Sequence, residues 1–514
     1  MKSLSEYKIA LISLLSLAFV AFLGKSYENT LRGIDSNIHA EVSMSATSPR
    51  SKLPKLPMTA PHVDTSYDTQ SNFNDHPFFF FWMNGTVMRA LGPSGWSARV
   101  LTATFSVGCI LLTVGLGTLL HSRLLGFIAG IFLLFTRDII LTGATVSLDP
   151  VMMFFILLSF LLWKKNHWKA LGITVGIGLW IKTPVVLLVY PTAFLVHGIR
   201  GELQENLKKL LTSFAISIGL GSMIWVITGV LGGWQLVQDY WIRQVWGTAI
   251  GGRNQIEGSS PWMFFRMIRN GFLPGLPFLI LGLIQIVRKK LLSHPAVMIS
   301  GVAVVIVGLA ITPMRFRMDY YFNPIFPFLA ILAAFSIHDV LRSAERSFYT
   351  TFSCLVPPAL AFLLCTPTTL GPEAFVALKR FIPFIQSYGN CDDDILLVSG
   401  GEPIGSSHDY GLVLSFYTGR RVDVESCTTA GASIRKNRPE WVVISQDNLN
   451  QCLHSEERNY YSTQIRMGSQ VLLSDVIPKT AQIDLSPLER ELKPIVDCMP
   501  QPYPRDIYHR GFRN

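Results

Sequence analysis

Apolar runs recur through the first two thirds of the chain, most of them near the ~20 residues a helix needs to cross a hydrocarbon layer. They lie at about 9–24, 97–120, 124–135, 139–163, 169–181, 184–196, 210–231, 271–287, 295–313, 320–340 and 350–363. Lipid offers no partner to a free backbone N–H or C=O, so such runs must satisfy those groups within helices. The expected fold is therefore an α-helical polytopic membrane protein with about eleven spans. Charged residues make up only 15% of the 514, against about 25% in a soluble domain. That shortfall excludes a disordered chain and argues against an ordinary soluble enzyme.

The formal net charge of +10 would suit nucleic acid in a soluble protein. Here many of the basic residues fall in the short connections 121–123, 164–169, 200–209, 288–294 and 338–346. In an eleven-span alternation these lie on the side of Lys2 and Lys8, which the positive-inside rule assigns to the cytoplasm. The first run has the basic start of a signal peptide, but no small-x-small cleavage site opens a soluble mature chain. It reads as an uncleaved first span. The longer connections then face outward. The expected organisation is a transmembrane domain over residues 1–370, with outer loops 25–96 and 232–270, and an extracytoplasmic α/β domain over 371–514.

The tail supports that placement. Cys391, Cys427, Cys452 and Cys498 lie in it, whereas Cys109, Cys354 and Cys365 lie in apolar runs. Four cysteines in one polar region predict at least one disulfide, which needs an oxidising compartment. The β-branched runs 394–400 and 440–445 read as buried strands, and 413–417 and 422–424 flank a turn at 418–419. The Gly-rich turn at 400–405 lacks both the G-x-G-x-x-G spacing and a P-loop lysine, so it carries no nucleotide-binding signal.

Chemistry concentrates beside the outward loops. Asp35, His39 and Glu41 follow the first span, and Asp35 and His39 share a face if the segment is helical. A carboxylate placed there can act as a general base; a capping Asp in a solvated loop explains it equally well. Asp75 and His76 open the aromatic segment NDHPFFFFW, which also suits a plain interfacial anchor. Asp149 stands at the start of an apolar run, where an ionisable residue defaults to a functional role. Lys182 sits near a span end, with snorkelling as the alternative. Arg315 and Arg317 break the positive-inside pattern, and with Arg243, Arg253, Arg266 and Arg269 they form an outward basic lining suited to a phosphate.

In this order the residues resemble the GT-C membrane glycosyltransferases that use polyprenyl-phosphate sugars, in particular the lipid A aminoarabinose transferase and protein O-mannosyltransferase group. The family pattern D-E-x-x-Y-A-E matches Asp35 through Glu41, with Ser36 in place of the second acid. The segment from His76 and Pro77 to Trp82 matches K/H-P-P-L-x-x-W, and Ser94 through Val100 follows the family's S-x-x-x-A-R-L. Asp149-Pro150, Ile181-Lys182-Thr183-Pro184 and the stretch from Arg317 through Tyr320, Tyr321, Pro324 and Pro327 complete the set, with Thr183 where the family has Gly. The resemblance implies inverting transfer of a sugar from a polyprenyl-phosphate donor at the outer face of a bacterial inner membrane. It implies Asp35 as base, with Glu41 in the catalytic group. It implies His76, Asp149, Lys182, Arg253, Arg317 and Tyr320 as donor contacts. The acceptor would be lipopolysaccharide, another glycan or a protein. No nucleotide or nucleic acid is implied, and a divalent metal is left open. A lipid-linked-sugar flippase and an inactive assembly protein on the same scaffold are the competing readings.

Overall fold

The computed structural model describes residues 2–24, 34–47, 56, 58–59, 63–64, 72–182, 184–250, 262–314, 319–365, 373–390, 393–399, 413–415, 417–418, 420–467 and 470–477. Contacts divide the chain into two units. The first holds Met1–Lys25, Asn74–Phe80 and Arg99–Thr366; the second holds Ser26–Phe73, Phe81–Ala98 and Pro367–Asn514. Residues 26–73 and 81–98 thus group with the tail, not with the spans.

Along the chain, α1 (Lys2–Phe19) runs into a π-helical turn, and α2 (Ile34–Ser45) and α3 (Phe79–Leu91) follow. Next come α4 (Gly95–Leu120), α5 (Arg123–Leu134), α6 (Arg137–Gly143), α7 (Asp149–Lys164) and α8 (Trp168–Gly178). After α9 (Val189–Ile199) and α10 (Leu203–Gly232), the segments α11 (Trp234–Asp239) and α12 (Gly247–Ile250) are joined by a π-helical stretch, Tyr240–Trp246. The series continues with α13 (Met263–Gly271), α14 (Leu276–Arg288), α15 (Pro295–Ile311), α16 (Phe326–Arg342), α17 (Glu345–Cys365) and α18 (Glu373–Tyr388).

Among the described residues, four helical segments are long and apolar enough to cross a membrane, and six if each of two bent pairs counts as one span. The expectation of about eleven rested on hydropathy, which does not register breaks. The run at 139–163 is two helices, since α6 stops at Gly143 and α7 starts at Asp149. The pairs α5/α6 and α13/α14 bend by 68° and 109°.

Helix α16 is the centre of the first unit. It is buried on every side from Phe326 to Ser336, as a helix apolar all round should be. Helix α10 instead buries one stripe, Leu210, Ser213, Ser217, Gly221, Ile224 and Thr228, at spacings of three or four. That stripe meets α8 through small residues. Ser217 donates to the Gly172 carbonyl at 3.0 Å, and a side chain at Gly172 would press on the Ser213 carbonyl. Close backbone approach of this kind drives helix association where lipid supplies no hydrophobic force.

In the second unit, β1 (Met58–Thr59) pairs antiparallel with β3 (Asn72–Phe73). A six-stranded sheet contains β2 (Val63–Asp64), β4 (Ile395–Ser399), β5 (Val422–Ser426), β6 (Trp441–Ser445), β7 (Thr463–Met467) and β8 (Gln470–Ser474), in the order β2-β5-β4-β6-β8-β7. The strands β2, β5, β4 and β6 run parallel, and β8 and β7 add antiparallel pairs. Residues 413–415 and 417–418 are helical, so the segment before the turn is not a strand. Val413, Leu414, Ser415, Tyr417 and Thr418 are all buried.

Cys427 and Cys452 form a disulfide across a sequence separation of 25, placing one bridge in the tail as expected. Cys391 and Cys498 lie outside the described residues. The bridge joins the start of helix α19 (Cys427–Asn437) to the end of α20 (Gln446–Cys452). Closing that loop should stabilise the domain by roughly 3.5 kcal/mol. A Cys427→Ser/Cys452→Ser variant is therefore expected to lower the denaturation midpoint of the purified protein, and reductant should have the same effect on the wild type alone.

Candidate active site

The first unit contains a recess of about 790 Å³, including its open mouth. Asp75, His76, Lys182, Tyr240, Gln244 and Tyr321 supply its polar lining, and Met152, Val185, Ile311 and Met314 line it with apolar surface. Beside it, Lys182 Nζ donates to Asp149 Oδ1 at 2.8 Å, with the two side chains only 12% and 6% exposed. The local sequence explains the placement. Pro150 occupies the first turn of α7, where a missing N–H costs nothing, and Asp149 opens that helix. Asp149 also receives the Ser147 hydroxyl at 3.4 Å, and the Asp149 N–H donates to that same hydroxyl at 3.2 Å.

Two aromatic faces complete the cation's surroundings. Lys182 Nζ lies 4.8 Å from the ring centre of Tyr321 and 5.2 Å from that of Tyr320. Both tyrosines belong to the 3₁₀ turn Asp319–Ile325 ahead of α16. A buried ammonium costs several kcal/mol unless compensated; a carboxylate and two ring faces supply that here. Lys182 is thus paired inside the protein and does not snorkel.

A second polar group closes around Asp75. Arg243 donates to Asp75 Oδ1 at 3.2 Å, and Gln244 donates to the same oxygen. Asn74 Nδ2 donates to the Leu236 carbonyl at 2.7 Å. Asn74 and Asp75 therefore hold the α11–α12 segment over the recess, with Tyr240 and Gln244 turned inward and buried. The aromatic run after His76 is not a lipid anchor. Phe78, Phe80 and Phe81 are buried, and Phe79 packs edge-on to Trp180 at 5.2 Å.

Asp35 and Glu41 belong to the second unit. Asp35 lies in the first turn of α2 and is exposed, where a negative charge is favoured by the helix dipole. His39 and Glu41 are buried on the same helix. Glu41 Oε1 accepts the Ser415 hydroxyl at 3.0 Å. Helix α3 holds the other end of α2: Arg89 donates to Thr47 Oγ1 at 2.7 Å and to the Met44 and Thr47 carbonyls at 3.1 Å each. Gly85 allows this approach, because a Cβ there would lie 2.0 Å from the Ser43 carbonyl oxygen.

Of the sequence-predicted donor contacts, His76, Asp149, Lys182 and Tyr320 come together in the first unit. Arg253 and Arg317 lie outside the described residues. Asp75, Arg243 and Tyr321, named in the motifs and the basic lining without an assigned contact, join the group in the first unit, and Tyr240 and Gln244 are residues the sequence reading missed. Tyr240, Gln244 and Thr248 recur every four residues on one face of the roofing segment and all line the recess, a periodicity that marks them. Among the described residues, no three His, Cys, Asp or Glu side chains converge to hold a metal ion, so no metal centre is assigned.

A family model described as dolichyl-phosphate-mannose-protein mannosyltransferase matches residues 75–227. ArnT from Cupriavidus metallidurans bound to undecaprenyl phosphate superposes with a TM-score of 0.61 over 92% of this chain and 99% of that one, at 13% identity. The chain has the GT-C glycosyltransferase fold. The apo state of the same ArnT gives a TM-score of 0.61 at 14% identity, over 90% of this chain and 97% of that one. The Archaeoglobus fulgidus oligosaccharyltransferase gives 0.52 at 14% identity, over 86% of this chain and 69% of that one. The archaeal oligosaccharyltransferase AglB from Archaeoglobus fulgidus, in complex with an inhibitory peptide and a dolichol-phosphate, gives 0.50 at 12% identity, over 92% of this chain and 75% of that one. No curated protein matches the chain in sequence. The apolar runs and tail strands predict a helical membrane protein with a small sheet in its C-terminal part, and the resemblance of the motifs implies this fold.

Proposed function

We propose that the protein transfers a sugar from a polyprenyl-phosphate donor to an acceptor hydroxyl at the outer face of a bacterial inner membrane. The observation that carries this reading is the Lys182–Asp149 pair, buried under Tyr320 and Tyr321 beside a recess that Asp75 and His76 line. A phosphate leaving with its bonding electron pair needs preorganised positive charge, and a water-poor site makes that charge effective. Lys182 and His76 supply it, with Arg317 and Arg253 as further cations. The ArnT structure bound to undecaprenyl phosphate and the AglB complex with dolichol-phosphate support a lipid-phosphate carrier.

In the proposed reaction the acceptor oxygen attacks the anomeric carbon from the face opposite the phosphate. The C–O bond to phosphate breaks, and polyprenyl phosphate leaves as an anion. The acceptor's proton passes to Asp35. Glu41, buried against Ser415, holds α2 and acts as a positioning residue.

The test is direct. Purified protein is incubated with a labelled polyprenyl-phosphate sugar and a panel of lipid, glycan and protein acceptors. Label moving to one acceptor, with inverted anomeric configuration, is the expected result. Movement of intact donor across proteoliposomes without transfer would favour a flippase, and neither activity would favour an assembly protein. Reporter fusions after Glu373 are expected to read as external, and a cytoplasmic signal there would break the orientation argument.

A further inference from the structure

Three histidines meet at the ends of α4, α15 and α16 that lie away from the recess. His121 follows α4, His294 caps α15, and His338 lies in the last turns of α16. His121 Nδ1 and His294 Nε2 are 3.2 Å apart. The His121 ring lies 4.9 Å from His294 and 4.7 Å from His338, centre to centre. His338 Nε2 meets the Ser122 hydroxyl at 3.0 Å, and its Nδ1 meets Asp339 Oδ1 at 3.1 Å. Lys289, at the end of α14, pairs with the other oxygen of Asp339.

The backbone fixes where the protons sit. The Ala296 N–H donates to His294 Nδ1 at 3.2 Å, so neutral His294 carries its proton on Nε2. That proton is donated to His121 Nδ1. The Asp339 carboxylate accepts from His338 Nδ1–H, so the Nε2 of neutral His338 accepts from the Ser122 hydroxyl, whose oxygen also takes the Leu125 N–H at 3.2 Å. Every contact is satisfied with all three rings neutral. A proton added to His121 Nδ1 would face the Nε2 proton of His294, and one added to His294 Nδ1 would displace the cap of α15.

The charged and titratable groups around His121 are His294, His338, Arg342, Lys289 and Asp339. Asp339 is the acid in this group, and it is already engaged by Lys289 and His338. Burial, then the neighbouring His338 and His294, push the His121 imidazole down to about 4. The same helices reach the recess at their other ends. Ile311 closes α15 and lines it, and Tyr321 lies in the 3₁₀ turn that leads into α16. Each helix is about 25 Å long.

We infer that His121, His294 and His338 form an acid-sensitive clasp that fixes α15 and α16 against each other and so positions Ile311 and Tyr321 at the recess. The sign follows from proton binding. Between the unfolded value of 6.5 and the folded value of about 4, the unfolded chain binds more protons, so stability falls as pH drops through that window.

The test uses the full-length protein in detergent micelles. Wild type, His121→Gln and His294→Asn are compared, the last because Asn keeps a capping acceptor while removing the ring contact. Near pH 7.5 both variants are expected to melt roughly 2 °C below wild type, and that gap should close by more than half near pH 5. A second readout at constant pH follows alkylation of an Ile311→Cys reporter by peptide mass spectrometry. The clasp variants should label about threefold faster than the same reporter with the clasp intact, through local opening. A melting gap that is the same at both pH values overturns the acid-sensitive clasp. Equal labelling rates overturn its reach to the recess.

Discussion

Asp35→Asn is expected to abolish sugar transfer while leaving expression, membrane insertion and melting temperature near wild type. Asp35 sits in the first turn of α2 with its side chain exposed, so an acceptor hydroxyl can reach it without rearrangement of the helix. Asn keeps the size and shape of the side chain but takes no proton. Loss of a general base lowers the rate by about 10²–10⁴. The structural contribution of an exposed Asp at a helix start is only about 0.3–1 kcal/mol. A dead, well-folded variant and an active, slightly less stable one are therefore easy to tell apart. Glu41→Gln and Ser415→Ala serve as companions. Glu41 is buried and takes the Ser415 hydroxyl, so these changes should lower the melting temperature and the turnover together. An active Asp35→Asn beside a dead but stable Glu41→Gln would move the base to Glu41 and reassign the motif. Full activity in both would leave the fold without this chemistry.

The readable parts of the sequence were those where one period dominates. Residues 395–398 and 441–444 are short, unbroken apolar runs, each followed by a serine, as strands covered on both faces should be, and they form β4 and β6. Residues 413–417 are also mostly apolar, yet 413–415 and 417 are helical; so short a stretch carries too little periodicity to separate the two. Helix α2 was harder. Its mean polarity reads as loop, and it buries Asn37, Glu41 and Ser43 because α3, some forty residues on in the chain, supplies Gly85 and Arg89 against it. Span boundaries were lost for a simpler reason. Helix α8 has 11 residues, about 16 Å of rise, so an apolar run can be helical and still fall short of the ~30 Å hydrocarbon layer. At the recess, Asp149, Lys182 and His76 could be named singly because a charge in an apolar run is conspicuous. That Asp149 pairs with Lys182, and that Asp75 receives Arg243 and Gln244 from roughly 170 residues away, depends on tertiary contact and has no local signature.

That pairing leads to the second large effect. Lys182→Met is expected to be both inactive and strongly destabilised, because it removes the ammonium that compensates the buried Asp149 carboxylate. Breaking a buried pair by removing one partner costs about 3–5 kcal/mol. Asp149→Asn should destabilise for the mirror reason, taking the carboxylate from the buried ammonium beside Tyr320 and Tyr321. The informative protein is the double variant, Asp149→Asn/Lys182→Met. Replacing both charges by groups of similar volume removes the desolvation penalty along with the attraction, so its melting temperature should return close to wild type. Activity should not return with it, because the proposed reaction needs the Lys182 charge for the departing phosphate and not merely a filled space. Melting curves and transfer assays on the four proteins separate the two roles. If the double variant recovers transfer together with stability, the pair is a structural bolt between the start of α7 and the segment that follows α8, and the donor phosphate must be held by other cations.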